Sequence, residues 1–269
     1  MGIRIWHQSF TVLEKLGPYR EAQQRHLDRV KRPDTEIVMH GMHAETYRTE
    51  YPGEDIRYVA FQRLHGLQFL AAGLRAAEEG YDAYAIATLP DPWLRETRSL
   101  IDIPVAGYGE AAMLAACSLG QRFGILVFIP ELAEQMTENV RLYGLADRFV
   151  GARDVGFRFN DVLAAYGGDS APLIERFKAS ARTMIAQGAD VIIPGEAPLC
   201  VILAANKCTE VDGVPVMDSL GAWVKQAEML VDMKRAGVQA SRRGYFQQLP
   251  PRQRVKELQA FYGLDRFFK

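Results

Sequence analysis

Short apolar runs alternate with segments of helical period from one end of the chain to the other. That alternation is the pattern of βαβ units, whose parallel strands are buried on both faces and read as continuous apolar stretches. The runs predict strands over 3–8, 36–40, 83–87, 104–106, 123–129, 149–155, 191–194 and 214–217. Helices are predicted between them. Residues 60–79 carry apolar side chains at Phe61, Leu64, Leu67, Ala71 and Leu74, and the helix opening near Asp218 carries Leu220, Trp223, Val224, Ala227, Leu230 and Val231 before Gly237. Each spacing buries one stripe. After Ala240 the character changes: Gln247, Gln248, Pro250 and Pro251 lead into a short helical segment, 255–262, and an aromatic end at Phe267 and Phe268. Residues 241–269 are therefore expected to form an extension, either a lid or an oligomer contact.

A weak internal repeat adds information that periodicity alone does not. Gly80-Tyr81-Asp82 precedes the strand 83–87 and then Thr88; Gly188-Ala189-Asp190 precedes the strand 191–194, Gly195 and then Glu196. In both copies the polar residue stands eight positions after the glycine. Both copies follow a long helix, both have proline just beyond the polar residue (Pro90 and Pro92, or Pro198), and both then reach a short strand opened by Pro104 or Pro215. Two similar α/β domains facing one another are expected, one from residues 1–107 completed by 217–240, the other from 108–216. Ligands of open α/β sheets sit beyond the carboxyl ends of the strands, so Thr88 and Glu196 would reach one cleft from opposite sides.

Composition narrows the class. The chain has 269 residues, 48% hydrophobic, with 32 Lys+Arg against 33 Asp+Glu for a net charge of −1. Disorder, collagen and disulfide scaffolds are excluded. A balanced charge gives no global field for nucleic acid or an anionic membrane, and the locally basic stretch 241–256 is short and broken by prolines. Three cysteines without close spacing fit a reducing compartment, and no run of about 18 apolar residues or amino-terminal apolar segment marks a membrane span or signal peptide. A cytoplasmic protein is expected, binding neither nucleic acid nor membrane and assembling as a homo-oligomer.

Several segments together resemble the aspartate/glutamate/hydantoin racemase superfamily, most closely its hydantoin-racemase-like branch. They are Arg4-Ile5-Trp6-His7-Gln8-Ser9; Glu79-Gly80-Tyr81-Asp82-Ala83 with Asp91-Pro92 and Leu94-Arg95-Glu96; and Ile103-Pro104-Val105-Ala106-Gly107 with Glu110-Ala111-Ala112. Leu119-Gly120-Gln121-Arg122-Phe123-Gly124, Gly188-Ala189-Asp190-Val191-Ile192 with Gly195, and Pro215-Val216-Met217-Asp218 complete the set. The resemblance covers about residues 3 to 235. It implies two Rossmann-like domains with parallel sheets, related by a pseudo-twofold axis, with an active-site cleft between them. It also implies cofactor-independent chemistry, in which one cysteine on each face of the substrate's α-carbon removes or supplies a proton. Where the first cysteine belongs this chain has Thr88; where the second belongs it reads Gly195-Glu196-Ala197-Pro198.

Those two departures change the chemistry that is expected. A threonine hydroxyl is too weak an acid to exchange protons near pH 7, whereas a carboxylate near 4.3, raised by burial, is a general acid or base. Glu196 and Thr88 are the catalytic candidates. The substrate would be a small carboxylate or carbonyl compound, handled from one side by isomerase, decarboxylase, hydratase or hydrolase chemistry. A non-catalytic small-molecule binder, and a racemase using bases other than cysteine, stand as alternatives. His7, Gln8 and Ser9 at the end of the first strand, Leu89 and Asp91 after Thr88, Gly195 and Ala197 around Glu196, and Asp218 are the expected substrate-binding positions.

Each has a plainer reading. Glu196 could be a solvated loop acid at a helix N-terminus, Thr88 a cap, His7 a hydrogen-bonded structural residue. Cys117 is expected in the core, and Cys200 is the one thiol near enough to Glu196 to act as a substitute nucleophile. His40 and His43 lack a third ligand in sequence, so no metal is expected. Gly107, Gly109 and Ala112, with Glu131 after the next strand, imitate a dinucleotide fingerprint, but Glu110 puts negative charge where a pyrophosphate would lie. No cofactor is expected.

Overall fold

The computed structural model describes residues 2–268. Strands β1 (Ile3–Gln8), β2 (Thr35–His40), β3 (Ala83–Ile86) and β4 (Val105–Gly107) form a parallel sheet in the order β2-β1-β3-β4. A second parallel sheet, β6-β5-β7, is built from β5 (Phe123–Val127), β6 (Phe149–Asp154) and β7 (Val191–Pro194). A hairpin of β8 (Glu210–Val211) and β9 (Val214–Pro215) continues to Val216, which bridges Ile192 in parallel and extends this sheet where β4 extends the first. The helices are α1 (Gly17–Val30), α2 (Gly53–Ile56), α3 (Val59–His65), α4 (Leu67–Glu78), α5 (Leu94–Arg98) and α6 (Tyr108–Leu119) in the first part of the chain. They continue as α7 (Leu132–Leu142), α8 (Phe159–Gly167), α9 (Ala171–Ala186), α10 (Ala197–Ala205), α11 (Ser219–Arg235) and α12 (Arg252–Phe261). Every residue of β3, β5 and β7 is buried, as strands covered by helices on both faces must be.

The repeat seen in sequence is a repeat of hydrogen bonds. Asp82 N–H donates to Arg4 O at 2.8 Å and the Asp82 carboxylate accepts from Arg4 N–H, while Asp190 N–H donates to Arg122 O at 2.9 Å and its carboxylate accepts from Arg122 N–H. Each Gly-x-Asp thus ties the start of its own strand to the start of the neighbouring one. Gly80 and Gly188 both adopt left-handed φ, 75° and 97°, which stops the preceding helix and turns the chain into the strand. Further along, Ala87 N–H donates to Gln8 O and Gly195 N–H to Leu126 O, both at 2.8 Å. Ile5 stands opposite Ala83 as Phe123 stands opposite Val191, and Tyr84 opposite Val105 as Ile192 opposite Val216. The register makes Phe10 and Thr11 the counterparts of Phe128 and Ile129, and Thr88 the counterpart of Glu196.

The two halves are clasped by the helices that leave their last strands. α6 leaves β4 and packs on β5 and β7, α11 leaves the Val216 strand and packs on β1, β3 and β4, and the two helices lie against each other. Leu220, Trp223 and Val224 of α11 are fully buried there.

The expected strand 214–217 is present only as the hairpin strand β9 and the Val216 bridge, and one helix departs further from expectation. The single helix predicted over 60–79 is two, divided at Gly66, where the Trp93 ring packs so closely that a side chain would collide with it. The expected buried stripe consequently fails in its first half: Phe61 and Leu64 are exposed, while Ala71 and Leu74 are buried. In the extension, Arg242 bonds to Asp102 and to the Arg98 carbonyl, and the Phe268 ring sits under Arg75 and beside Trp6. Among the described residues no helix is long and apolar enough to cross a membrane.

Candidate active site

Both sheets run out onto one small cavity of about 50 Å³. Ser9, Phe10 and Thr11 after β1 and Thr88 after β3 form one side; Phe128 and Ile129 after β5 and Glu196, Ala197 and Pro198 at the opening of α10 form the other. Tyr51, Pro52, Gly53 and Ile56 close it from the first half and Phe159 from the second. Larger hollows exist, one of about 320 Å³ between α11 and the extension and one of about 740 Å³ beside Asp91 and Tyr143. The small cavity is the candidate because, among the described residues, it joins the carboxyl ends of strands from both sheets, which the larger hollows do not.

Glu196 is 7% exposed. It occupies the N-cap position of α10, yet its side chain caps nothing in that helix. The carboxylate reaches instead to the segment after β5, accepting from Phe128 N–H at 3.1 and 3.2 Å and from Ile129 N–H at 3.0 Å. Burial pushes its carboxyl up to about 8, against the opposing pull of those donors. Thr88 is half-buried, and among the described residues its hydroxyl has no hydrogen-bond partner. The Ser9 hydroxyl is 2.8 Å from that of Thr11 and accepts from Thr11 N–H.

Of the other expected positions, only Ala197 lines this cavity. His7 lies between the sheet and helices α1 and α11, with Nε2 3.1 Å from the Gln23 amide and its ring against Trp223. Burial depresses it to about 3, so it is neutral. Gln8 is spent on Trp6 and the carbonyls of Ser9 and Gly41. Leu89 and Gly195 touch each other across the two halves: a Cβ on Gly195 would lie 2.9 Å from the Leu89 side chain and from Leu126 O. Asp91 turns away to the start of α6, accepting from Gly109 N–H, Glu110 N–H and the Tyr143 hydroxyl, and burial pushes it up to about 7. Its carboxylate fills the place a pyrophosphate would need in the fingerprint at Gly107 and Gly109. Asp218 caps α11 through Gly221 N–H and lies 2.9 Å from His26 Nε2. The Cys200 thiol donates to Asp218 and is pushed up to about 12 by burial, which removes it as a thiolate nucleophile at neutral pH. The His40 ring stacks on Trp6 with centroids 3.5 Å apart.

A family model described as Asp/Glu/Hydantoin racemase matches residues 19–227. The chain belongs to this racemase family. It is 29% identical over 160 residues to a hydantoin racemase of Pseudomonas sp. (strain NS671), covering 59% of this chain and 62% of that one, so the match spans less than two thirds of that relative. Its fold resembles that of an allantoin racemase from Klebsiella pneumoniae, with a TM-score of 0.75 at 24% identity over 93% of this chain and 95% of the other. At lower similarity it matches an arylmalonate decarboxylase variant, TM-score 0.53 and 16% identity over 90% and 97% of the two chains.

In this racemase-family chain the cavity walls are partly aromatic, and sequence reading misses them. Tyr51 stacks on Phe159 with centroids 4.9 Å apart and planes 19° from parallel. Tyr51, Pro52 and Gly53 come from a long connection without periodicity; the Tyr-Pro-Gly triplet is the signal available, since a side chain at Gly53 would collide with the Tyr51 ring. The same connection reaches the second half through an Arg57–Glu131 ion pair and through Gln62 and Gln135, whose amides exchange hydrogen bonds at 2.8 and 2.9 Å. Ligand pockets for drug-sized molecules are roughly 300–1,000 Å³, and with these contacts made the cavity is far smaller.

Proposed function

We propose that this chain is a cofactor-independent enzyme that transfers a proton at the carbon beside a carbonyl or carboxylate of a small substrate, from one face. Glu196 is the acid/base, and Thr88 is a non-ionising ligand to a substrate oxygen. The observation that carries this reading is that, among the described residues lining the cavity, Glu196 bears the one carboxyl, buried and fixed by the N–H groups of Phe128 and Ile129, and burial pushes it up toward neutrality. Among the described residues the lining holds no Cys, His, Lys or Arg, and burial moves its tyrosines upward, Tyr51 to about 12 and Tyr19 further.

The ionised carboxylate takes the proton from the substrate carbon, the C–H electron pair moves to the carbonyl oxygen to give an enolate, and the same carboxyl returns the proton to the carbon. For a malonate-type acid, loss of CO₂ leaves its electron pair in the enolate and protonated Glu196 supplies the proton. Positioned acids and bases of this kind contribute about 10² to 10⁴ in rate. A racemase working with bases other than cysteine would need a second ionisable group opposite Glu196, and Thr88 does not supply one.

A second reading, a binder without catalysis, is favoured by one observation: both Glu196 oxygens are already held by backbone donors. Hydrogen–deuterium exchange at the α-carbon, followed by proton NMR in D₂O with 5-substituted hydantoins, allantoin and arylmalonates, separates the readings. Exchange or decarboxylation that Glu196→Gln slows by about 10² to 10⁴, with a single enantiomer formed, is the expected result. Equal rates in Glu196→Gln overturn the acid/base role, and scrambled configuration overturns the one-sided mechanism.

A further inference from the structure

The repeat lets one half of the cleft report on the other. In the second half a carboxylate, that of Glu196, sits on the N–H groups of Phe128 and Ile129. The equivalent segment of the first half is held just as firmly. Ser9 N–H donates to His40 O, the Tyr47 hydroxyl donates to Phe10 O at 2.7 Å, Thr11 N–H donates to Ser9 Oγ, and Thr11 O accepts from Met42 N–H. One donor is left over. Among the described residues the N–H of Phe10, the counterpart of Phe128, has no protein partner, although Phe10 is only 3% exposed and lines the cavity.

Thr88, the counterpart of Glu196, is too short to reach across as the glutamate does, and its hydroxyl is equally unengaged. In surroundings as buried as those of Phe10 an N–H without a partner is rare and unfavourable. A pinned loop that keeps one therefore calls for an acceptor from outside the chain. We infer that the Phe10 N–H and the Thr88 hydroxyl form an oxyanion site in the first half of the cleft. It holds one oxygen of a substrate carboxylate or enolate as Phe128 and Ile129 hold the Glu196 carboxylate in the second. The inference rests on the cavity being the active site, and it deepens that reading: the donors sit where charge collects on the substrate oxygen while Glu196 works at carbon.

Acetate is small enough to probe the site without turnover. Ser9-Phe10 is the only Ser-Phe pair in the chain and Val127-Phe128 the only Val-Phe pair, so carbonyl-¹³C serine or valine combined with ¹⁵N-phenylalanine gives each amide its own NMR signal. The expected result is a saturable downfield shift of the Phe10 amide proton on acetate titration, with Phe128 unmoved and the affinity weakened roughly tenfold in Thr88→Val. A Phe10 signal that stays still, or a Phe128 signal that moves in its place, overturns the inference. Failure here is distinguishable from failure of the proposed function. A Phe10 shift retained while Glu196→Gln leaves exchange at carbon untouched removes the acid/base role and keeps the oxyanion site; an immobile Phe10 with exchange lost in Glu196→Gln does the reverse.

Discussion

Replacing Glu196 by Gln should stabilise the fold, and increasingly so as pH rises. In the unfolded chain this carboxyl titrates near 4.5, in the folded chain near 8. Below about pH 4.5 it is protonated in both states and contributes no difference. Between 4.5 and 8 the unfolded chain loses the proton while the folded chain keeps it, so the folded state binds more protons and stability falls with each pH unit. Above 8 both are ionised and the loss levels off. At 1.36 kcal/mol per pH unit over that window the full penalty is about 5 kcal/mol. A glutamine is neutral throughout and escapes it. Its carbonyl oxygen can still accept from Phe128 and Ile129, but the second acceptor at 3.2 Å is lost, a pH-independent deficit of about 1 kcal/mol. Urea denaturation of both proteins at pH 5, 6.5 and 8 measures the difference. Asp91, which burial raises in the same direction, is common to both and cancels. A Gln advantage growing to about 3 kcal/mol at pH 8 is expected; a difference that is flat with pH refutes the reasoning.

Thr88→Val should leave stability within about 0.5 kcal/mol of the parent while lowering substrate affinity or turnover by the equivalent of roughly 1–3 kcal/mol, read from kcat and KM once a substrate is found. Asp91→Ala strands two backbone donors and the Tyr143 hydroxyl, and should destabilise the fold by about 2–4 kcal/mol in the same denaturation assay. Gly195→Ala places a methyl against Leu126 O and Leu89, and should lower stability by about 1–3 kcal/mol. Iodoacetamide should leave activity intact, because Cys200 is buried with its thiol proton held well above neutrality; inactivation prevented by substrate would return that cysteine to the site.

Strand positions were the most legible part of the chain. The runs Ile3–Gln8, buried except at Arg4, and Val191–Pro194, buried throughout, are apolar enough that their ends coincide with the observed β1 and β7. The repeat was legible because its Gly-x-Asp has the same work in both halves, stopping a helix with a left-handed glycine and tying two strand starts with a carboxylate. Proximity to a strand end was a poorer guide to side chains. Ser9 lies beyond the end of β1 in the segment that lines the cavity, whereas His7, still within the strand, packs against the helices covering the sheet, and Gln8 is consumed by its neighbours. Asp91 stands three residues after Thr88, but a positive φ of 48° turns it toward α6. Tyr51 and Phe159 could not be found by spacing, since they meet only when the two halves close. The break at Gly66 likewise depends on Trp93, distant in sequence.

The proposed chemistry turns on a carboxyl that can give and take a proton near neutrality inside the cleft. Labelling glutamate with ¹³C at Cδ and following its carbonyl resonance with pH, with Glu196→Gln to identify the signal, observes that group directly. A midpoint near 8 is expected for Glu196. A midpoint at or below 4.5 would mean that the backbone donors of Phe128 and Ile129 outweigh burial, leaving a fixed carboxylate with no proton to exchange, and would contradict that chemistry.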